Sequence, residues 1–256
     1  MRSTVWHSTS MIRLLALLLL AVAVSAGAQQ TTFSVATIKP SSPDAPTMTQ
    51  IQGKRFVTSG TTFLDLFKYA FSVHESQVVG EPKWLRTEKF DVVADPGGEQ
   101  RPTSDQMKAL VRQLLLDRFH VVLRRDTREL SVYALQKTDA APKLTASTAA
   151  PNDMPSGGGD GEGELAMNNG TMANFVAYLQ RFAGPAVNRP VVDQTGIAGR
   201  FDVDLRFAPD VETETNPNTP GLFTAIQEQL GLKLKATKAP VDVYIVQSAT
   251  RPAVDS

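Results

Sequence analysis

The apolar positions of this chain fall into two stretches with the same spacing. Phe90 and Phe201 each open a strand-like segment, and they lie 111 positions apart (201 − 90). Later apolar residues match at the same offset: Val111 with Leu222, Leu115 with Ile226, Phe119 with Leu230, Val121 with Leu232, Leu123 with Leu234, Leu130 with Val241 and Val132 with Val243. A slip of one residue would turn the buried side of a strand outward, so a constant offset predicts the same elements twice. We interpret the pattern as an internal duplication.

The first stretch predicts the order β-α-β-α-β-β. Thr61 or Thr62 caps a helix that carries Leu64, Phe67 and Phe71 on one face. Phe90 then begins a strand, and a second helix starts near Ser104. Residues 121–123 and 130–135 predict two strands, and the charged connection between them, 124–129, predicts a hairpin.

The second stretch predicts the same order. Thr171 caps a helix, and residues 201–207 alternate between apolar and polar side chains, as a strand with one buried face does. The next helix ends at Gly231, a common C-terminal cap, and two short strands follow at 232–234 and 241–246. The sequence therefore predicts an α+β fold of two similar repeats with antiparallel hairpins. It leaves open whether they form two lobes or share one sheet.

Segment composition sets the domain boundaries. Residues 1–28 have the layout of a signal peptide: positive charge at Arg2 and Arg13, an apolar run over 14–24, and the small residues 26–28 before Gln29. An uncleaved anchor is the alternative. Residues 138–161 contain almost no large apolar side chain and predict a flexible linker. The first repeat then covers 29–137 and the second 162–256.

Composition excludes several classes of function. Lys plus Arg and Asp plus Glu both number 26, so no net field attracts nucleic acid. The chain has no Cys, which excludes disulfides, thiolate metal sites and a Cys nucleophile. His74 and His120 lack the spacing of a metal site, and no catalytic Ser motif is present. We therefore assign no catalytic residue, no metal and no cofactor.

Five residues are weak candidates for ligand binding. Arg124, Arg125 and Arg128 form the densest positive cluster, and guanidinium groups suit carboxylates and phosphates. A charged hairpin that prevents edge-to-edge aggregation explains the cluster as well. Tyr69 and Trp84 would line a groove, although packing in the core explains both.

Several motifs together resemble a known family. They are residues 33–41, Trp84-Leu85 followed by 89–92, residues 114–119, Thr127–Leu130 with 132–135, residues 190–196 and residues 222–234. The combination is similar to a soil-associated family of exported proteins from Acidobacteria with a domain of unknown function, DUF3738. Ser131 departs from the family, which commonly has Pro there. Similar domains follow membrane-embedded metallopeptidases of the antibiotic-sensor type, which implies extracytoplasmic sensing or binding.

We therefore expect a periplasmic or secreted, non-catalytic binding module without stable membrane insertion after signal cleavage. Its partner would be an unknown small molecule or an envelope protein. The alternative is a hydrolase of envelope or environmental polymers, for which export is the motivation. The groove between the repeats is the first place to look for a ligand, because interfaces between domains commonly host them.

Overall fold

The structure, a computed structural model, describes residues 32–150, 153, 155–159, 163–209 and 219–255. The predicted signal peptide, 1–28, lies outside these residues. Within them the fold is α+β, with five helices and three four-stranded sheets. The helices are α1 (Phe63–Phe71), α2 (Trp84–Thr87), α3 (Ser104–Phe119), α4 (Met172–Phe182) and α5 (Leu222–Leu230). None of the described helices is long and apolar enough to cross a membrane.

The strands are β1 (Val35–Pro40), β2 (Met48–Gln52), β3 (Arg55–Thr62), β4 (Val78–Val79), β5 (Lys89–Asp95), β6 (Val122–Lys137), β7 (Thr145–Ala146), β8 (Ser156–Gly159), β9 (Glu164–Gly170), β10 (Val191–Asp193), β11 (Phe201–Arg206) and β12 (Leu232–Ser248). They form sheets in the orders β1-β5-β3-β2, β10-β6-β12-β4 and β7-β11-β9-β8. The two outer sheets are entirely antiparallel.

The N-terminal core lies between the first outer sheet and helices α1 and α3. Phe90 and Val92 of β5 face it, and Phe90 meets the ring of Phe119 edge-on at 5.5 Å between centroids. Phe63 at the start of α1 also contacts Phe119 at the end of α3, so the two helices run antiparallel. The predicted helix at residue 104 is confirmed, and a capping box between Thr103 and Gln106 begins it.

The C-terminal core lies under the other outer sheet, α4 and α5. Val203, Leu205 and Phe207 are buried in it, as the alternation predicts. Phe201 is only half-buried, contrary to expectation, because the pairing of β11 with β9 shifts between Phe201 and Val203. Such a bulge changes the direction of the residues that precede it.

The central sheet corrects the predicted hairpins. β6 is one strand of 16 residues and β12 one of 17, and they pair antiparallel along nearly their whole length. The run Arg124–Glu129 contains no turn-forming Gly, Pro or Asn, and an exposed strand keeps its charges in water. Pro240 lies where β12 has no second neighbour, since β4 pairs only with Tyr244 and Ile245. An open edge is where a strand tolerates proline.

β6 and β12 exchange their ends between the cores. Tyr244 and Val246 of β12 pack in the N-terminal core. Tyr133 and Leu135 of β6 pack in the C-terminal core. Each core is thus completed by a strand that follows the helix of the other core. Of the two open arrangements, the structure has a shared central sheet together with two separate cores.

The predicted linker, 138–161, contains strands. Thr145 and Ala146 form β7, and the glycine-rich β8 pairs antiparallel with β9. A Cβ atom on Gly157 would lie 2.7 Å from Tyr178, and one on Gly159 would lie 2.7 Å from Phe182. Glycine therefore lets β8 lie directly on α4, whereas composition alone indicates flexibility.

Candidate functional site

The predicted arginine cluster lies on the exposed first half of β6. Arg124 and Arg128 both contact the carboxylate of Asp126, at 3.7 and 3.3 Å. Arg125 pairs with Asp242 of β12 across the ladder. Local carboxylates thus offset much of this positive charge, and the assignment of these arginines to a ligand stays a prediction.

The two predicted aromatic residues have different neighbours. Trp84 stacks with Phe119 at 6.5 Å between ring centroids, and the guanidinium of Arg251 lies 5.0 Å from the Trp84 ring. Tyr69 lies beside Phe56, with the guanidinium of Arg181 over its ring. The contacts do not bring Trp84 and Tyr69 into one groove, but those of Tyr69 join the two cores.

A cluster of cationic and aromatic side chains surrounds Tyr69. We call it the α1–α4 cleft; its members are Tyr69, Phe71, Lys108, Arg112, Tyr178, Arg181 and Phe182. They come from α1, α3 and α4. Sequence reasoning singled out Tyr69 among them as a binding candidate and missed the three cations.

Two capping boxes position the aromatic members. The Thr62 hydroxyl accepts the Asp65 N–H at 3.1 Å, and Asp65 Oδ2 accepts the Thr62 N–H at 3.0 Å. Thr171 and Asn174 make the same pair of bonds at the start of α4, at 3.3 and 2.9 Å. A fixed first turn fixes the rotation of each helix, and with it the direction of Tyr69 and Tyr178.

Arg181 is the central cation of the cleft. Its guanidinium lies 5.3 Å from the ring centre of Tyr69 and 5.0 Å from that of Phe182. The side chain is exposed, yet burial by surrounding groups lowers the pKa of its guanidinium. The guanidinium is thus open to water and flanked by two aromatic rings.

Lys108 and Arg112 extend the positive charge along α3. Burial lowers the pKa of Lys108, and the charges of Arg112 and Arg181 lower it further, while Asp105 opposes them. Arg112 lies 5.6 Å from the ring centre of Phe71 and donates from Nε to the Lys108 carbonyl at 3.3 Å. Within the described part of the chain, none of the three cations has an ion-pair partner.

The two tyrosines of the cleft stay protonated at neutral pH. Burial raises the pKa of Tyr69 to about 12, and burial also raises the pKa of Tyr178. A neutral phenol donates a hydrogen bond. The cleft therefore presents two phenolic donors beside three positive charges, an arrangement suited to an anion.

Comparison with known proteins gives one match. The family described as "Protein of unknown function (DUF3738)" matches residues 64–249. The chain belongs to this family. No curated protein and no solved structure matches the chain significantly. The match covers every residue of the α1–α4 cleft, together with both long strands of the central sheet.

The two histidines of this DUF3738 protein serve different parts of the structure. His74 is buried beside the cleft; its Nδ1 accepts the Ser76 N–H at 3.2 Å, and its ring bonds to the backbone of Val187. His120 is exposed and contacts the hydroxyl of Thr250 at 3.2 Å. Among the described residues, no group of three or more His, Cys, Asp or Glu is arranged to hold a metal ion.

A cavity of about 280 Å³ lies at the start of α5. Its lining residues are Pro185, Ala186, Asn188, Gly221, Leu222, Phe223 and Thr224. The Tyr133 hydroxyl donates to Asn188 Oδ1 at 3.3 Å and Arg189 covers the Tyr133 ring, so the polar groups beside the cavity bond to each other. The α1–α4 cleft, whose three cations form no ion pair with any described residue, is the stronger candidate.

Proposed function

We propose that this DUF3738 protein is an exported, non-catalytic binding module that holds a small molecule in the α1–α4 cleft, between two duplicated halves. The observation that carries the proposal is the position of Arg181. It extends from one half onto Tyr69 of the other, is exposed, and has no carboxylate partner among the described residues. Interfaces between domains commonly form ligand sites, and a free cation there favours binding.

The register of the central sheet supports the duplication. Glu129 of β6 pairs with Pro240 of β12, and these residues lie 111 positions apart (240 − 129), the offset of the apolar pattern. The other pairs follow the same symmetry. Val132 pairs with Thr237, and adding the offset to Val132 and subtracting it from Thr237 gives Val243 and Asp126, which also pair. A twofold axis through Glu129 and Pro240 produces this register.

The strand orders support it as well. β1-β5-β3-β2 and β7-β11-β9-β8 correspond element by element along the chain. In the central sheet β4 pairs parallel with β12, and β10 pairs parallel with β6. Each short parallel strand thus adds to the long strand of the other half.

A shared local motif gives the third support. Gly60 and Asn169 both have left-handed backbones, with φ of 59° and 52°. Their N–H groups donate to Asp91 at 2.9 Å and Asp202 at 2.8 Å. Two residues after each comes the threonine that caps the following helix, Thr62 or Thr171. Such a conformation is uncommon outside glycine, so its recurrence at Asn169 is informative.

The duplication explains the composition of the cleft. Tyr69 and Tyr178 occupy equivalent positions on α1 and α4, 109 apart (178 − 69), as do their capping threonines. The cations are not repeated: at the equivalent offsets Arg181 corresponds to Ser72 and Arg112 to Phe223. We infer that the two phenols are the symmetric part of this surface, and that the cations, which have no repeated counterpart, make it asymmetric and specific.

The location and partner remain proposals with the function. The pattern of residues 1–28 motivates export to the periplasm or the medium, and the resemblance to soil-associated acidobacterial proteins points the same way. The ligand would be an environmental or envelope small molecule, and an envelope protein would receive the signal.

Thermal unfolding in the presence of fractionated small molecules tests the proposal. The chain from residue 29 onward and its Y69F/R181Q variant would be heated with fractions of culture medium and envelope extract. We expect at least one fraction to raise the Tm of the parent and to leave the variant unchanged, as selective binding to the folded state requires. Equal shifts in both proteins, or no shift with any fraction, would exclude the cleft as the binding site.

A further inference from the structure

We propose that the α1–α4 cleft recognises a dianionic group, either a phosphate monoester or a dicarboxylate. Lys108, Arg112 and Arg181 would supply the positive charge, and Tyr69 and Tyr178 the neutral donors. The inference rests on the proposed binding function and adds the chemical class of the ligand.

The first argument is the unbalanced charge of the cleft. Eight other described arginines form ion pairs, so carboxylate partners are common elsewhere on this protein. The acids close to the cleft are Asp65, which accepts from the N–H and hydroxyl of Thr62 in the capping box, and Asp105 on α3. Neither forms an ion pair with the three cations. The surplus of positive charge attracts an anion.

The second argument is the way in which aromatic rings hold the side chains of the two arginines. Arg181 is held against the rings of Tyr69 and Phe182, and Arg112 against the ring of Phe71. Aromatic rings attract the charge and limit the rotamers of a guanidinium. Arginine recognises phosphate and carboxylate through pairs of N–H groups along its planar edge. Contacts with the ring faces leave these N–H groups available. They also reduce the conformational entropy that the arginine side chains lose when a ligand binds.

The third argument concerns the number of negative charges. Burial lowers the pKa of Lys108, and the charges of Arg112 and Arg181 lower it further against the opposing charge of Asp105. Like charges gathered in one place repel, and an opposite charge among them relieves the repulsion. A dianion interacts with several of the cations at once, whereas a monoanion offsets less of their charge. Protonated Tyr69 and Tyr178 can donate to the remaining oxygens.

Anion titrations of the chain from residue 29 onward test this class. Thermal unfolding would be followed at pH 7 with inorganic phosphate, succinate, acetate or chloride, at matched ionic strength. We expect a saturable rise in Tm of several degrees with phosphate or succinate and none with acetate beyond that with chloride. A response to phosphate alone identifies a phosphoryl ligand, and a response to succinate alone identifies a dicarboxylate.

Substitutions locate the effect. K108Q and R181Q should each lower the apparent affinity, obtained from the concentration dependence of the Tm shift, at least tenfold. K238Q makes the same charge change at an exposed lysine of β12 and should leave that affinity unchanged. R181K keeps the charge but loses the planar edge, so its affinity should fall between those of R181Q and the parent. Circular dichroism would select folded variants, and the two positions, half-buried Lys108 and exposed Arg181, give independent tests.

Two results would overturn the inference. The first is an equal response to acetate and phosphate in the parent. The second is an unchanged phosphate or succinate response in folded K108Q and R181Q. A third result would separate the two proposals. If a neutral compound raises the Tm of the parent but not of Y69F/R181Q, and no dianion raises the Tm of the parent, the binding function stands and the dianion class is wrong.

Discussion

The carboxylate of Asp91 accepts the backbone N–H of Gly60 at 2.9 Å, across the irregular pairing of β3 with β5. Gly60 has φ of 59°, and a Cβ atom there would lie 2.6 Å from the Pro46 carbonyl oxygen. The bond therefore helps to hold this backbone conformation, together with the bond that the Thr47 hydroxyl donates to the Gly60 carbonyl at 3.0 Å. Its counterpart joins Asp202 to Asn169 at 2.8 Å, and Gly60 and Asn169 each lie shortly before a helix that carries a cleft tyrosine.

Replacing either aspartate should destabilise the fold. We expect D91A and D202A each to cost roughly 1–3 kcal/mol, because each leaves a partly buried N–H without its acceptor. Urea unfolding would measure the loss. D204N, an exposed position on the same strand as Asp202, is the control and should change stability by less than about 0.5 kcal/mol. Similar midpoints for D91A and D204N would show that the bond is dispensable.

The two phenylalanines that open the repeated pattern should differ. Phe90 is 6 % exposed and meets Phe119 edge-on, so F90A should cost about 3–5 kcal/mol. Phe201 is half-buried beside the bulge, and F201A should cost about half as much. Equal losses in chemical denaturation would mean that the bulge does not loosen the packing of Phe201.

The glycine-rich strand β8 offers a matched pair of substitutions. A Cβ on Gly159 would lie 2.7 Å from Phe182 and 3.0 Å from the Glu164 carbonyl oxygen, so G159A should cost about 1–3 kcal/mol. A Cβ on Gly158 would meet only Phe182, at 4.0 Å, and G158A should be near neutral. If the segment behaves as a flexible linker, both variants will unfold at the temperature of the parent.

His74 should make stability fall as the pH drops below about 6.5, its ordinary pKa. Burial lowers the pKa of His74 below its ordinary value of 6.5, so the folded state favours the neutral ring. The unfolded chain takes up this proton more readily, so protonation favours unfolding. The stability that His74 contributes is therefore complete above about pH 6.5 and is lost as the pH falls. H74Q should flatten the decline of Tm, and H120N should retain it. A parallel decline in H74Q and the parent would assign it to other groups.

The sequence predicts four of the five helices and most strands, because their apolar periodicity and caps are local signals; the four-residue α2 (Trp84–Thr87) is too short to show a periodicity. Thr62, Thr171 and Gly231 mark helix ends as expected. The predicted hairpin at 124–129 is wrong because this run pairs with β12 as part of a long ladder, and pattern alone does not separate an exposed strand from a turn. The glycines of β8 indicate flexibility by composition, although packing against Tyr178 and Phe182 requires them.

The cleft was harder to predict than the fold. Tyr69 and Arg181 lie 112 positions apart (181 − 69), and only the packing of α1 and α4 brings them together. The available signal was the offset of 109 that relates Thr62 to Thr171, because it also relates Tyr69 to Tyr178. The cations lack such a signal, since no repeated position carries them.

The exchange of β6 and β12 between the cores determines when this protein can fold. The N-terminal core includes Ile38 and also Tyr244 and Val246, and the Ile38 N–H donates to Asp255 at 2.9 Å. Its first and last contributors lie more than 200 residues apart, so the core cannot close until the C-terminus has been synthesised. Contacts of such long range slow folding. The N-terminal core therefore remains open, with its apolar residues exposed, until the last strand of the protein is present.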